Sequence, residues 1–105
     1  LQLLGNTEWA IICYKRSLNK LTDTMNKGYG NLWVAECMIT LNKIDHAFWF
    51  YMNCYKIWKK VSPIKALTID KKMRAILELH PTLSPIYELS ESEILVNCRV
   101  IMSTK

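Results

Sequence analysis

The chain has 105 residues, which suits one domain, and residues 1–105 are treated as a single domain. Half of its residues are hydrophobic and 10% are aromatic, which excludes an intrinsically disordered chain. Only three Gly and three Pro occur, which favours helices over turn-rich sheets, and the formal net charge is +5.

No apolar run has the length of a membrane span. The most apolar window, 47–58, contains Asn53 and Lys56 and is shorter than the ~20 apolar residues that a spanning helix needs. No basic segment followed by an apolar run marks a signal peptide, and the sequence opens at Leu1 and not at a Met. We therefore expect an intracellular protein, cytoplasmic or nuclear, with no membrane association, and a chain that is a fragment.

About five helices are predicted. The first begins near Asn6, which can cap its free N–H groups, and its apolar residues have helical spacing: Trp9, Ile12, Cys13, Leu18 and Leu21. The segment NKGYGN, 26–31, contains two glycines and is predicted to be a loop. The second helix is predicted over 32–41, and a short turn at 42–45 follows, in which Asp45 is the expected N-cap of the third helix.

The third helix is predicted over 46–60 and ends by Ser62, because Pro63 disfavours helix at the residue before it. The fourth, about 64–79, is amphipathic, and its apolar side consists of Ala66, Ile69, Met73, Ile76 and Leu77. Prolines interrupt the chain over 80–85. Ser90 and Glu93 have the spacing of a capping box, which predicts a fifth helix with five apolar residues: Ile94, Leu95, Cys98, Ile101 and Met102. No segment alternates over strand length, so the predicted fold class is all-α, an array of antiparallel helix pairs.

The pattern of reactive residues gives no sign of an active site. Neither His46 nor His80 belongs to a recognisable nucleophile–base motif, and the glycines of KGYGN lack the Lys-Ser/Thr of a phosphate-binding loop. The four cysteines form no CxxC pair, so we expect reduced, buried thiols and not disulfides or zinc ligands: Cys13, Cys37, Cys54 and Cys98. We predict a non-enzyme without metal or cofactor.

Two segments repeat each other at an offset of 37 residues. Aligning 5–18 with 42–55 superposes three pairs of residues: Ala10 on Ala47, Tyr14 on Tyr51 and Ser17 on Cys54. A small residue, an aromatic four positions later and a small residue three after that form one face of a helix packed closely on another. The repeat therefore predicts stacked helix pairs.

This pattern resembles the tetratricopeptide repeat family, whose unit is a helix pair of about 34 residues. Ala35 matches the small residue of the family's first helix, and Asn42 and Ile44 match the glycine and the aromatic of its turn. The second-helix places are held by Ala47, Tyr51 and Cys54. The resemblance implies a partial repeat at 1–25, a full repeat at 29–63, and a degenerate repeat or a cap at 64–105.

The resemblance also implies an adaptor or scaffold that binds a peptide or a partner subunit in an intracellular complex. The family presents its first helices as a concave groove, and the matching positions here are Tyr29, Leu32, Glu36, Ile39 and Thr40. For Leu32 and Ile39 the alternative is packing on a neighbouring helix. Members that grip a chaperone's C-terminus use an Asn where this chain has Trp33, which disfavours that variant. A secretion chaperone built of such repeats stays an alternative.

Residues 56–74 carry seven basic side chains opposed there only by Asp70. Lys71, Lys72 and Arg74 are candidates to contact an acidic peptide; the alternatives are RNA or DNA binding, or ordinary solvated helix faces. The aromatic residues have core spacing and do not stand singly among basic residues, which disfavours nucleic acid.

The third predicted helix is apolar on nearly all sides, so both of its faces need covering. Trp49 and Phe50 are candidates for partner contacts, because large aromatics anchor many interfaces; packing within the chain is the alternative. A homo- or hetero-oligomer is one way to cover residues 46–60.

Overall fold

A computed structural model of the chain describes residues 24–103. These residues form five α-helices, one 3-10 turn and no strand, so the predicted all-α class is confirmed. The elements in chain order are α1 (Thr24–Thr40), α2 (Ile44–Val61), α3 (Pro63–Leu79), the 3-10 turn Pro81–Leu83, α4 (Ser84–Tyr87) and α5 (Glu91–Ser103). The predicted first helix, with Ala10, Cys13, Tyr14 and Ser17, lies outside the described residues.

Helix α1 corrects the predicted loop at 26–31, since this segment is helical throughout. Gly28 lies directly against the indole of Trp58: a Cβ on Gly28 would lie 1.9 Å from Nε1 of Trp58. The same Nε1–H donates a hydrogen bond to the carbonyl oxygen of Met25 at 3.2 Å. The glycine therefore serves the close approach of two helices and not a chain reversal.

The turn between α1 and α2 is a Schellman motif. The N–H of Lys43 donates to the carbonyl of Met38 at 2.8 Å, and the N–H of Asn42 donates to that of Ile39 at 2.9 Å. The motif needs a left-handed residue after the helix end, and Asn42 has a φ of 61°. Asp45 is not the N-cap that the sequence predicted: it lies within the first turn of α2, where its charge suits the positive helix end.

Two further boundaries agree with the sequence. Ser62 alone separates α2 from α3 and is extended, with φ −153° and ψ 84°, as expected before Pro63. The capping box at the start of α5 is present: the N–H of Glu93 donates to Oγ of Ser90 at 3.3 Å, and the N–H of Ser90 donates to Oε1 of Glu93 at 3.2 Å.

Helix α2 is the centre of the packing, and it contacts α1, α3 and α5. Among the described residues, seven of the fifteen buried hydrophobic side chains belong to α2. Ala35 and Ala47, the expected close-approach points of the α1–α2 pair, are both 0% exposed. Within residues 24–103, no helix is long and apolar enough to cross a bilayer.

Helix α5 runs antiparallel to α2. Glu91 at the start of α5 pairs with Lys60 at the end of α2, with Nζ and Oε1 2.5 Å apart. Further along, the thiol of Cys98 donates to the carbonyl of Trp49 at 3.3 Å. Helix α5 therefore packs along α2, and its contacts with α3 are few.

Because the buried thiols resist ionisation, the stability of the fold should fall at alkaline pH. Cys37, Cys54 and Cys98 are free. Burial raises the pKa of Cys98 to about 12, and it raises that of Cys54 to about 12 against a small opposing effect of a backbone hydrogen bond at Leu32. The ordinary value is 9.0, so above pH 9 the unfolded chain loses these protons while the folded chain keeps them.

We therefore predict that the free energy of unfolding falls as pH rises from about 9 towards 12, by up to about 1.4 kcal/mol per pH unit for each thiol. Urea titrations at pH 7, 9 and 10 measure the slope. Cys98→Val, which removes one titrating group, should lower the slope by that amount. An unchanged slope in this variant would show that Cys98 ionises as readily in the folded chain as in the unfolded one.

Candidate partner-binding surface

The predicted groove positions share one side of α1, but they differ in exposure. Tyr29, Glu36 and Thr40 are exposed, and the hydroxyl of Thr40 donates to the carbonyl of Glu36 at 3.2 Å. Leu32 and Ile39 are half-buried and pack against the core, as the alternative of packing on a neighbouring helix expects for these two side chains. The accessible part of the predicted groove on α1 is therefore made by Tyr29, Glu36 and Thr40.

Tyr29 takes part in a cluster that joins three helices. Its ring lies against the edge of the Trp58 indole of α2, with centroids 4.9 Å apart and an angle of 78° between the planes. Lys65 of α3 places its Nζ 5.1 Å from the centre of the Tyr29 ring and 5.7 Å from that of Trp58. The ammonium faces the electron-rich sides of aromatic rings, which is an attractive arrangement.

Glu36 forms a second link from α1 to α3. Its Oε2 lies 3.6 Å from Nζ of Lys72, and both side chains are about half exposed. An exposed pair of this kind contributes only about 0–1 kcal/mol to stability. The contact does mark the place at which α1 and α3 face each other. We call the five residues that these contacts join the α1–α3 surface: Tyr29, Glu36, Trp58, Lys65 and Lys72.

The two links have the same register. In each, the α3 residue follows its α1 partner by 36 positions, and both partners advance by seven residues from Tyr29 and Lys65 to Glu36 and Lys72. Helices whose contacts advance together run parallel. Since α1 is antiparallel to α2, helices α1 and α3 lie side by side on α2 with the same direction.

The predicted basic cluster is dispersed in the structure. Lys72 faces Glu36, Arg74 donates through Nε to Oδ2 of Asp70 at 2.7 Å, and Lys71 is exposed without an ion pair among the described residues. These three side chains therefore do not form one site. Of the seven basic residues in 56–74, five contact a carboxylate or an aromatic ring: Lys59, Lys60, Lys65, Lys72 and Arg74.

Asp70 connects α3 to α4. It is 7% exposed and accepts hydrogen bonds from the Tyr87 hydroxyl and from Arg74. Burial by itself raises the pKa of Asp70, but the hydrogen bonds and the charge of Arg74 outweigh burial, so the pKa is lowered. The Tyr87 pKa is raised, chiefly because its hydroxyl proton is held by Asp70. Arg74 is thus tied to Asp70 on α3, although its side chain is 69% exposed.

The large aromatic residues of α2 differ in their exposure. Phe50 is 0% exposed, so its proposed contact with a partner is wrong for this fold and the packing alternative holds. Trp49 is half-buried, packs against the core, and accepts the Cys98 thiol at its carbonyl. Trp58, which is 3% exposed, belongs to the core and packs against the exposed Tyr29 in a T-shaped arrangement.

In the sequence Trp58 is one of the many aromatic residues of the third predicted helix and Lys65 is one of the seven basic residues of 56–74, but neither was predicted to join Tyr29. The signal was present in the 36-residue separation of Tyr29 and Lys65, which is close to the 37-residue repeat. In the described part of the chain, His, Cys, Asp and Glu side chains do not gather into any group of three that could hold a metal ion.

The comparisons with family models, curated proteins and solved structures found no match for this chain. The chemistry of the α1–α3 surface itself is therefore the guide to its function.

Proposed function

We propose that the chain is an adaptor module that binds an acidic peptide segment of a partner protein along the α1–α3 surface. The observation that carries the proposal is the constant register of the two links between α1 and α3. Parallel helices that recur on one side of a shared helix are the arrangement in which helical-repeat proteins build a binding face.

The helical-repeat interpretation has support from the turn between α1 and α2. Asn42, matched to the family's turn glycine, has the left-handed conformation that glycine usually takes. Tyr51 and Cys54, matched to the second helix, are both buried. These features favour a tetratricopeptide-like repeat at 29–63.

For residues 64–105 the packing favours a cap over another repeat. Equivalent helices of successive repeats run in the same direction, so the second helix of a further repeat would be parallel to α2. Helix α5 is antiparallel to α2. A helix of that direction ends an array instead of extending it, and it leaves α3 as the last helix of the binding face.

The charge of the surface selects the partner. Of the five residues of the α1–α3 surface, two are cations, Lys65 and Lys72, and one is a carboxylate, Glu36. The surface is therefore net positive and carries an aromatic ring, Tyr29, that is 45% exposed. An acidic segment with an apolar or aromatic side chain complements both features.

Nucleic acid is the weaker candidate, because the basic residues of 56–74 point in different directions and five of them already have a partner. A phosphate backbone requires a continuous basic track. Of the two aromatic residues of the surface only Tyr29 is exposed, whereas single-stranded binding uses successive stacking platforms.

The test is selection of random 15-residue peptides on the purified chain, followed by fluorescence anisotropy of a selected peptide. We expect enrichment of Asp and Glu, and we expect Lys65→Ala and Lys72→Ala each to weaken binding roughly three- to tenfold, because each removes a charged contact. Lys43→Ala is the matched control, since Lys43 is exposed, carries the same charge and lies in the turn between α1 and α2, outside the five residues of the surface; it should leave the affinity unchanged.

Peptides without acidic bias, or equal affinity for the three variants, would contradict the proposal. Single-stranded RNA serves as competitor at low and at moderate salt. Displacement of the peptide by RNA at low salt would favour the nucleic-acid alternative.

A further inference from the structure

A cavity of about 380 Å³ lies on a different side of α1 from the α1–α3 surface. It is open to solvent on one side and is lined by the start of α1, the second half of α2 and the length of α5. Lys27 and Asn31 line it from α1, whereas Tyr29 and Glu36 face α3, as expected from the 100° that separates successive helical residues. Volumes of roughly 300–1,000 Å³ are typical of small-molecule sites.

A pair of buried amides forms part of the wall. Asn31 is 3% exposed and Asn53 is 4% exposed. Nδ2 of Asn53 donates to Oδ1 of Asn31 at 2.9 Å, and Nδ2 of Asn31 donates to the carbonyl of Lys27 at 2.8 Å. Each donor is thereby oriented, and the chain of bonds fixes the direction of both amides.

The amide oxygen of Asn53 has no hydrogen-bond partner among the described residues. None of the described side chains has a fully buried polar atom without a partner. The oxygen of Asn53 is therefore accessible, and the space beside it is the cavity that Asn53 lines. A ligand that donates a hydrogen bond would satisfy this acceptor.

The cavity also carries an excess of positive charge. Lys27, Lys60 and Arg99 line it with a single carboxylate, that of Glu91. Glu91 is paired with Lys60 at 2.5 Å. Lys27 and Arg99 have no carboxylate partner within residues 24–103. Two cations beside a partly buried cavity attract an anion more strongly than they would in open water.

We propose that this cavity binds a small organic anion that also carries an O–H or N–H donor. Lys27 and Arg99 hold the anionic group, and Asn53 accepts the hydrogen bond. The anionic group is a phosphate or a carboxylate, since both accept hydrogen bonds from ammonium and guanidinium groups. Apolar side chains of α2 and α5 complete the wall and contact the carbon skeleton: Ile57, Leu95 and Met102.

The experiment is a titration of the ¹⁵N-labelled chain with four probes: glycerol 3-phosphate, lactate, sulfate and glycerol. The signals followed are the side-chain amides of Asn31 and Asn53. We expect saturable shifts of both amides with glycerol 3-phosphate or with lactate, weaker binding of sulfate because it lacks a donor, and no shift with glycerol. Whichever of the first two binds more tightly identifies the anionic group.

Two variants and one control test the cations. Lys27→Gln and Arg99→Gln should each weaken binding of the tighter probe by about tenfold, the usual effect of losing one charge-assisted hydrogen bond. Lys71→Gln removes the same charge at an exposed position of α3 that does not line the cavity, and it should leave binding unchanged. Absence of a saturable shift, sulfate binding as tightly as both hydroxylated probes, or equal effects of the three variants would overturn the proposal.

Discussion

Gly28→Ala is expected to destabilise the fold by about 2–4 kcal/mol, since overpacking a tight contact and losing a hydrogen bond both cost free energy. The direction is opposite to helix propensity, on which alanine in a helix is better than glycine by about 1 kcal/mol. The added methyl would lie 1.9 Å from Nε1 of Trp58, and it would force the indole away from its acceptor, the Met25 carbonyl. Urea unfolding monitored by circular dichroism measures the loss.

The same substitution in a second variant tests whether contact with the Trp58 indole causes the loss of stability. In a Trp58→Leu chain the clash is relieved, so Gly28→Ala should cost less than about 1 kcal/mol there or be slightly stabilising. A stabilising effect of Gly28→Ala in the native background would contradict the close packing of α1 on Trp58.

Phe50→Ala is expected to cost about 3–5 kcal/mol, the usual effect of removing a fully buried phenyl ring and leaving a cavity. Phe50 is 0% exposed, while Leu67 of α3 is 57% exposed. The control Leu67→Ala should therefore cost less than about 1 kcal/mol. Differential scanning calorimetry or urea unfolding measures both variants.

Comparison of Phe50→Ala with Leu67→Ala also shows whether the Phe50 ring serves the core of one chain or an interface between chains. A loss below about 1 kcal/mol for Phe50→Ala, together with a loss of self-association in the ultracentrifuge, would mean that the ring serves an interface between chains. The burial of Phe50 within one chain leads us to expect the opposite: a large loss of stability with no change in oligomeric state.

The elements that the sequence predicted well are those governed by local backbone chemistry. Pro63 restricts Ser62, and the Ser90 and Glu93 side chains cap α5, so these boundaries follow from neighbours in the chain. The error at 26–31 has a tertiary cause. Gly28 looks like a turn residue until its neighbour, thirty positions away, is known to be an indole in contact with it.

The candidate surface was predictable only in part. Tyr29 and Glu36 followed from the repeat pattern, because positions within one helix are set by its period. For Lys65 the sequence offered only its 36-residue separation from Tyr29. That both Trp58 and Lys65 contact Tyr29 depends on how the helices pack, which the sequence does not state. The dispersal of the basic cluster follows from the period of the helix: Lys72 and Arg74 are two positions apart, so their side chains point about 160° apart.

The most direct test of the proposed function is chemical-shift mapping of the ¹⁵N-labelled chain with a selected acidic peptide. Binding at the α1–α3 surface predicts that the largest shifts fall on Tyr29, Glu36, Lys65 and Lys72 and on the indole N–H of Trp58, whose ring Tyr29 and Lys65 contact. The side-chain amides of Asn31 and Asn53, which line the separate cavity, should stay unchanged. Shifts confined to those amides, or no saturable shift with any selected peptide, would contradict it.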